Sequence, residues 1–148
     1  MSRNITIFLL ATVGTFIIDQ NIKTIFIDGY YLEGSCINLE LHYNKGVAFS
    51  MFAFLGEYLK WIQLVLIVGI IIFSFYEGYI QKYAFPIGLI MGGAIGNLYD
   101  RFVREGVVDY VAWHCGFNFA VFNYADVMID LGVATIILLS LLEGKKRD

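Results

Sequence analysis

WIQLVLIVGIIIFSFY, residues 61–76, runs for sixteen residues without a charged side chain. A helix needs about 20 mainly apolar residues to cross a hydrocarbon core roughly 30 Å thick. With its flanks the stretch makes a span of about 59–77. Working outward, three further segments have the same character. Residues 5–18 are uncharged, and the helix continues through Asp19 and Lys23 to about 27. Residues 83–99 are uncharged and give a span of about 83–101. The last span runs from about 124 to 142 and carries one acid beyond its first turn, Asp130. The first span lacks a small-residue cleavage site and ends in Asp19-Gln20-Asn21, so it reads as a retained anchor and not a signal peptide. The single proline, Pro86, sits at the start of span three, where its missing N–H costs little.

Composition agrees with this reading. Of 148 residues, 59% are hydrophobic and 16% charged, and the mean hydropathy is +0.70. A chain this short does not enclose enough interior to hide that much apolar side chain in water. Disordered, collagen-like and disulfide-stapled classes are excluded, and a net charge of −3 offers no footprint for nucleic acid. The expected fold is a membrane α-helical protein with four transmembrane helices and a small outer β-sheet (α+β), one domain over 1–148.

Lysine and arginine set the expected orientation. Arg3, Lys82 and Lys145-Lys146-Arg147 lie in very short segments on one side. Lys45, Lys60, Arg101 and Arg104 lie in or just beside two longer loops, 28–58 and 102–123, on the other. The termini then face the cytoplasm and the loops face outward. Residues 36–43 alternate apolar and polar as a half-buried strand does. Val107–Phe122, aromatic and β-branched, also reads as strand.

Charged residues in spans are functional candidates by default, and here they cluster by depth. Asp19 and Lys23, then Asn97, Asp100 and Arg101, then Asn123 and Asp126, all fall at the outer ends of spans, with Asp109 in the loop above. A transporter would place such groups nearer the midplane, which only Asp130 approaches. Simpler readings stand beside the functional one. Asp19 and Lys23 are four apart and can form an intrahelical ion pair. Arg101 can snorkel to the interface. Gly88, Gly92 and Gly96 form a ladder for close helix packing. Asn123 can cap span four, with Asp126 favoured by the helix dipole. His42 and His114 have no partner spacing and read as structural. Two carboxylates that share one proton could divide acid and base work on an amide, with Asp109 the better proton carrier because the helix start favours charge on Asp126. These features alone leave a membrane hydrolase, a small transport or ion-binding protein and a structural subunit all open.

Specific motifs narrow the choice. Gly92-Gly93-Ala94-Ile95-Gly96-Asn97-Leu98-Tyr99-Asp100-Arg101 followed by Gly106-Val107-Val108-Asp109-Tyr110, and Phe122-Asn123-Tyr124-Ala125-Asp126, resemble the two aspartate motifs of lipoprotein signal peptidase, signal peptidase II. Asn44-Lys45-Gly46-Val47-Ala48-Phe49 resembles that family's Asn-x-Gly-x-Ala-Phe box, and Asp19-Gln20-Asn21-Ile22-Lys23 its first-span motif. The resemblance implies an aspartic endopeptidase, multi-pass in the bacterial inner membrane, with its site at the periplasmic face. Its substrate would be a diacylglyceryl-modified prolipoprotein, cut just before the lipidated cysteine. Asp109 and Asp126 fall on the catalytic dyad, and Asn44, Asn97, Arg101 and Asn123 on substrate-holding positions. Asp19, Lys23, Gly46 and Asp100 take supporting positions. No metal or organic cofactor is implied; membrane lipid and globomycin-type inhibitors are expected partners. Asp130 departs from the family's small or apolar residue, and Tyr99 and Tyr110 replace more apolar ones. Cys36 and Cys115 both lie in outer loops, where a disulfide is chemically allowed; nothing in the resemblance asks for one, and the pairing stays open.

Overall fold

The computed structural model describes residues 2–46, 53–104, 106–117 and 119–145. Val47, Ala48 and Phe49 of the Asn-x-Gly-x-Ala-Phe box, and Lys146 and Arg147 of the basic tail, lie outside the described residues. There are four helices, α1 (Ser2–Ile27), α2 (Tyr58–Tyr76), α3 (Tyr79–Val103) and α4 (Tyr124–Gly144), with one strand, β1 (Ile37–Asn44), between α1 and α2 and another, β2 (Val107–Trp113), between α3 and α4. Three of the helices, α1, α2 and α4, are long and apolar enough to cross a membrane. Their outward faces carry bare apolar side chains, among them Leu10 at 68%, Val65 at 70% and Leu141 at 67% exposure. A soluble monomer does not leave such continuous apolar faces uncovered.

α3 is the hub, packed against α1, α2 and α4. Its core side includes Ile80, Tyr83, Ile87, Met91 and Leu98, joined by Phe8 of α1 and Ile67 of α2. Glycine makes the contacts close, as the ladder predicts. A Cβ on Gly88 would stand 2.6 Å from the Ala11 Cβ, and one on Gly92 would stand 2.5 Å from the Thr15 Cβ and 2.6 Å from the Thr12 carbonyl. The neighbouring Gly93 faces α4 instead, where a Cβ would lie 2.5 Å from the Ala125 carbonyl. Gly93→Ala therefore wedges α4 away at the turn that carries Asp126. The expected result is a loss of about 1–3 kcal/mol, the usual cost of overpacking, read as a lower melting temperature in detergent together with reduced activity.

α3 begins at Tyr79, four residues before the span expected from sequence. Its backbone breaks at Tyr83 (φ −125°, ψ 34°). Pro86 sits in the first turn after that break, where a missing N–H and a blocked carbonyl are tolerated. In the turn before it, the Gln81 carbonyl accepts Asn4 Nδ2 at 2.7 Å.

The strands pair antiparallel, Ile37 opposite Trp113 and Asn44 opposite Val107, with a register irregularity between Leu39 and His42. That irregularity removes the clean alternation expected of residues 36–43, since a one-residue slip exchanges faces. The single long strand expected over Val107–Phe122 is also corrected. β2 ends at Trp113, and the chain turns through Gly116 in the left-handed region (φ 81°). It then returns to pair Phe122 with Val111. Gly116 permits the reversal because it lacks a Cβ. A disulfide joins Cys36 to Cys115 across 79 residues of sequence, fastening the start of β1 to this turn. His42 contacts Glu40 at 2.9 Å and His114 contacts Asn38 at 3.1 Å, the structural roles expected of them.

Candidate active site

β2 leaves α3 three residues after its end and lays Val108, Asp109 and Tyr110 over the bundle. Val108 is fully buried and packs with Phe26 of α1 and Tyr110. The Tyr110 ring stacks on Phe26 with centroids 4.1 Å apart, and its hydroxyl accepts the backbone N–H of Tyr124 at 2.9 Å. Tyr110 thus fixes the start of α4, a role with no signal in the sequence beyond its departure from an apolar position. Because Val108 faces the core, the alternation of the strand turns Asp109 the other way, towards the ends of α3 and α4.

There Asp109 is 2% exposed. Its Oδ2 accepts Asn44 Nδ2 at 3.0 Å and its Oδ1 accepts Asn123 Nδ2 at 2.7 Å. Burial pushes its carboxyl up to about 6; the negative charge of Asp126 adds to this, and the two asparagine amides oppose it. Asp126 lies in the first turn of α4. Its Oδ1 accepts Asn97 Nδ2 at 2.8 Å, and its Oδ2 accepts the Asn123 backbone N–H at 3.1 Å. Asn123 Oδ1 accepts the Asp126 N–H at 3.0 Å, completing a capping box. Asn123 is therefore both the expected cap and the bridge between the two aspartates. Its Nδ2 also approaches Asn97 Oδ1 at 3.1 Å.

Beneath this layer sits Lys23, fully buried. Its Nζ lies 2.8 Å from Asp19 Oδ2, 2.7 Å from Asp100 Oδ2 and 2.9 Å from Asn97 Oδ1. Its three donors thus find three acceptors, and the simple Asp19–Lys23 pair expected from spacing is one arm of a larger cluster. Asp100 also accepts the Val108 N–H at 3.2 Å and Arg104, tying the helix to the strand that carries Asp109. Gln20 reaches Asp100, the Gly96 carbonyl and Arg104. Gly96 admits Asp19, whose carboxylate any Cβ there would strike.

Arg101 does not snorkel to solvent. Its Nε donates to Gln63 Oε1 at 3.0 Å, and its terminal nitrogen donates to the Gly46 carbonyl. Gly46 N in turn donates to Asn44 Oδ1 at 2.9 Å. These groups surround a cavity of about 460 Å³ lined by Asn44, Gln63, Asn97, Arg101, Asp109, Asp126 and Asp130, with Phe119, Phe122, Val127 and Ile129 as its apolar wall. Every sequence-predicted site residue lines this cavity or lies one hydrogen bond or ion pair from a residue that does, or, for Asp19 and Asp100, one further ion pair away through Lys23. Asp130 belongs to the same wall. Gln63 was missed, although an amide inside an otherwise apolar span was a legible signal. Among the described residues, no group of three or more His, Cys, Asp and Glu side chains could hold a metal ion.

The sequence and fold that bring these two carboxylates to one cavity have counterparts in known proteins. The sequence profile of signal peptidase (SPase) II matches residues 11–142. The chain belongs to the signal peptidase II family. Relatives named lipoprotein signal peptidase are 68% identical in Sulfurovum sp. (93% of this chain, 94% of the relative) and 59% identical in Sulfurimonas denitrificans (93% and 90%). One from Wolinella succinogenes is 45% identical (89% and 88%). Among solved structures, a bacterial membrane enzyme determined by the in meso method at 2.3 Å superposes with a TM-score of 0.80 at 26% identity, over 95% of this chain and 91% of that one. Signal peptidase II is a protease family, and the fold is that of a membrane enzyme.

Proposed function

We propose that the chain is an aspartic endopeptidase that removes the signal peptide from diacylglyceryl-modified prolipoproteins, cutting just before the lipidated cysteine. The observation that carries this reading is Asp109 and Asp126, on separate elements, lining one cavity and bridged by Asn123. Asp126 takes a proton from water, and the resulting hydroxide attacks the scissile carbonyl. Asp109 gives its proton to the leaving nitrogen as the carbon–nitrogen bond breaks. Asn44, Asn97, Arg101 and Asn123 present amide and guanidinium groups to substrate backbone. Asp19, Lys23, Asp100 and Gly46 hold those groups in place. The apolar wall takes the acyl chains, so lipid supplies much of the specificity.

The membrane placement follows the same reading. α3 crosses as the fourth span; at 25 residues it is about 37 Å long, and its polar side chains are sheltered by α1, α2 and α4. The termini face the cytoplasm and the site faces the periplasm. The Cys36–Cys115 disulfide supports that side, because disulfides persist in oxidising compartments and not in the cytosol.

The test is to offer the purified protein a diacylglyceryl-modified prolipoprotein and its unmodified precursor. The modified form is cleaved faster by about 10²-fold or more, since each buried methylene of the lipid adds roughly 0.8 kcal/mol of binding, and a globomycin-type cyclic peptide blocks the reaction. Equal cleavage of both forms would overturn the assignment.

A further inference from the structure

Arg101 also lines a second cavity, of about 360 Å³, together with Lys45, Lys60, Arg104 and Glu57. Four cations meet one carboxylate there. Glu57 pairs with Lys60 but is itself 85% exposed, so it can leave without a burial cost. The two guanidiniums are braced from behind, Arg101 by Gln63 and the Gly46 carbonyl, Arg104 by Asp100 and Gln20. A guanidinium has five N–H donors, and this bracing leaves some of them for the cavity.

Aromatic residues mark the depth of the rim. Trp61 meets Phe102 edge-on with centroids 5.3 Å apart, and Lys60 Nζ sits 5.5 Å from the Phe102 centroid. Tyr58 and Trp61 are exposed. Such a belt lies at the headgroup level of a bilayer. Below it, Ile62, Val65 and Leu66 continue an exposed apolar face along α2.

We infer that this cavity binds the phosphate of an anionic phospholipid headgroup in the outer leaflet, an inference that rests on the outer-face placement proposed above. A concave site with surplus positive charge and low-dielectric walls concentrates its field on an anion. Guanidinium forks match phosphate oxygens in pairs, while lysines add point charge. The apolar face of α2 selects the lipid over free phosphate, because it gives acyl chains a surface directly beneath the headgroup. Arg101 lines both cavities, so the lipid would sit one side chain away from the substrate.

The experiment is native mass spectrometry of the full chain in detergent containing equal amounts of phosphatidylglycerol and phosphatidylcholine. One phosphatidylglycerol is retained in preference to phosphatidylcholine by about tenfold or more. The double variant Lys45→Gln/Lys60→Gln, with an unchanged melting temperature, retains the two lipids nearly equally, because roughly fivefold for each lysine is enough to erase a preference of this size. Equal retention of the two lipids by the unaltered chain, or a preference unchanged in the folded double variant, overturns the inference. Displacement of phosphatidylglycerol by millimolar inorganic phosphate also overturns it, in favour of a free-phosphate site. Lipid retention is read without cleavage, so this inference and the peptidase assignment fail separately.

Discussion

Asp126→Asn lowers kcat by about 10³-fold or more, within the usual reach of a lost general acid or base, while the protein stays folded. The amide keeps an acceptor for the Asn123 N–H, so the cap of α4 survives, and what is lost is the ability to take a proton. Asp109→Asn is equally inactive, because its amide cannot deliver one. The pair titrates as a unit, and the direction of its pH dependence follows from Asp109. With that carboxyl up at about 6 through burial and the Asp126 charge, it holds its proton below that pH and loses it above. As the proton donor, it makes kcat/KM fall as pH rises through about 6; a fall on the acid side there would assign it the opposite role. In Asp126→Asn the neighbouring charge is gone, and the Asp109 midpoint moves below 6, measurable by its carboxyl infrared band even in an inactive protein.

The same shift affects stability. A carboxyl raised in the folded state binds its proton more tightly there than in the unfolded chain. The contribution is fully present below pH ~4 and is lost as pH climbs through about 6, on the order of 3 kcal/mol for a shift of this size. Asp109→Asn abolishes that part of the pH slope in thermal melts between these values. A slope unchanged in the variant would mean that Asp109 is not the group responsible.

Lys23→Met is expected to destabilise by about 3–5 kcal/mol, the cost of leaving a buried ion pair without one partner. Here two carboxylates, Asp19 and Asp100, lose their shared ammonium, and all three side chains are fully buried. The loss should be visible as a large drop in melting temperature, or as failure to recover folded protein. Adding Asp19→Asn to Lys23→Met removes one stranded charge and restores part of the stability. Asn97 loses its Lys23 partner in both variants. Any folded fraction therefore cleaves slowly, because the amide that holds Asp126 keeps only the Asn123 amide as donor to its oxygen. Lys23→Met melting like the unaltered chain would show that the cluster contributes no stability.

Much of the fold was legible because membrane helices are written in local composition. The bounds expected for spans one, two and four lie within three residues of α1, α2 and α4 at each end. Span three was placed less well at its start, since the segment before Pro86 continues helical across a break that no residue pattern announces. The outer sheet was legible as to which segments form it but not in outline. β2 stops at Trp113 because the chain reverses at Gly116, and a β-branched aromatic run looks alike whether it continues or folds back. The motifs named the candidate site residues, but not their partners. Gln63 passed as part of an apolar run, and Arg101 could have faced solvent as readily as Gln63 and the Gly46 carbonyl.

The sequence by itself determined that this chain is built of apolar helices, that it belongs with the signal peptidase II motifs, and that the charges within and just above its spans gather at one end. Each of these depends on residue type and near-neighbour spacing. Only the tertiary structure decided that Asn123 reaches Asp109 as well as capping α4, and that Lys23 bridges α1 to α3. It also decided that Cys36 meets Cys115, and that Arg101 lines two cavities. Those are contacts between residues 14 to 79 positions apart. Such contacts depend on how segments far apart in the chain pack together, which residue type and near-neighbour spacing do not encode.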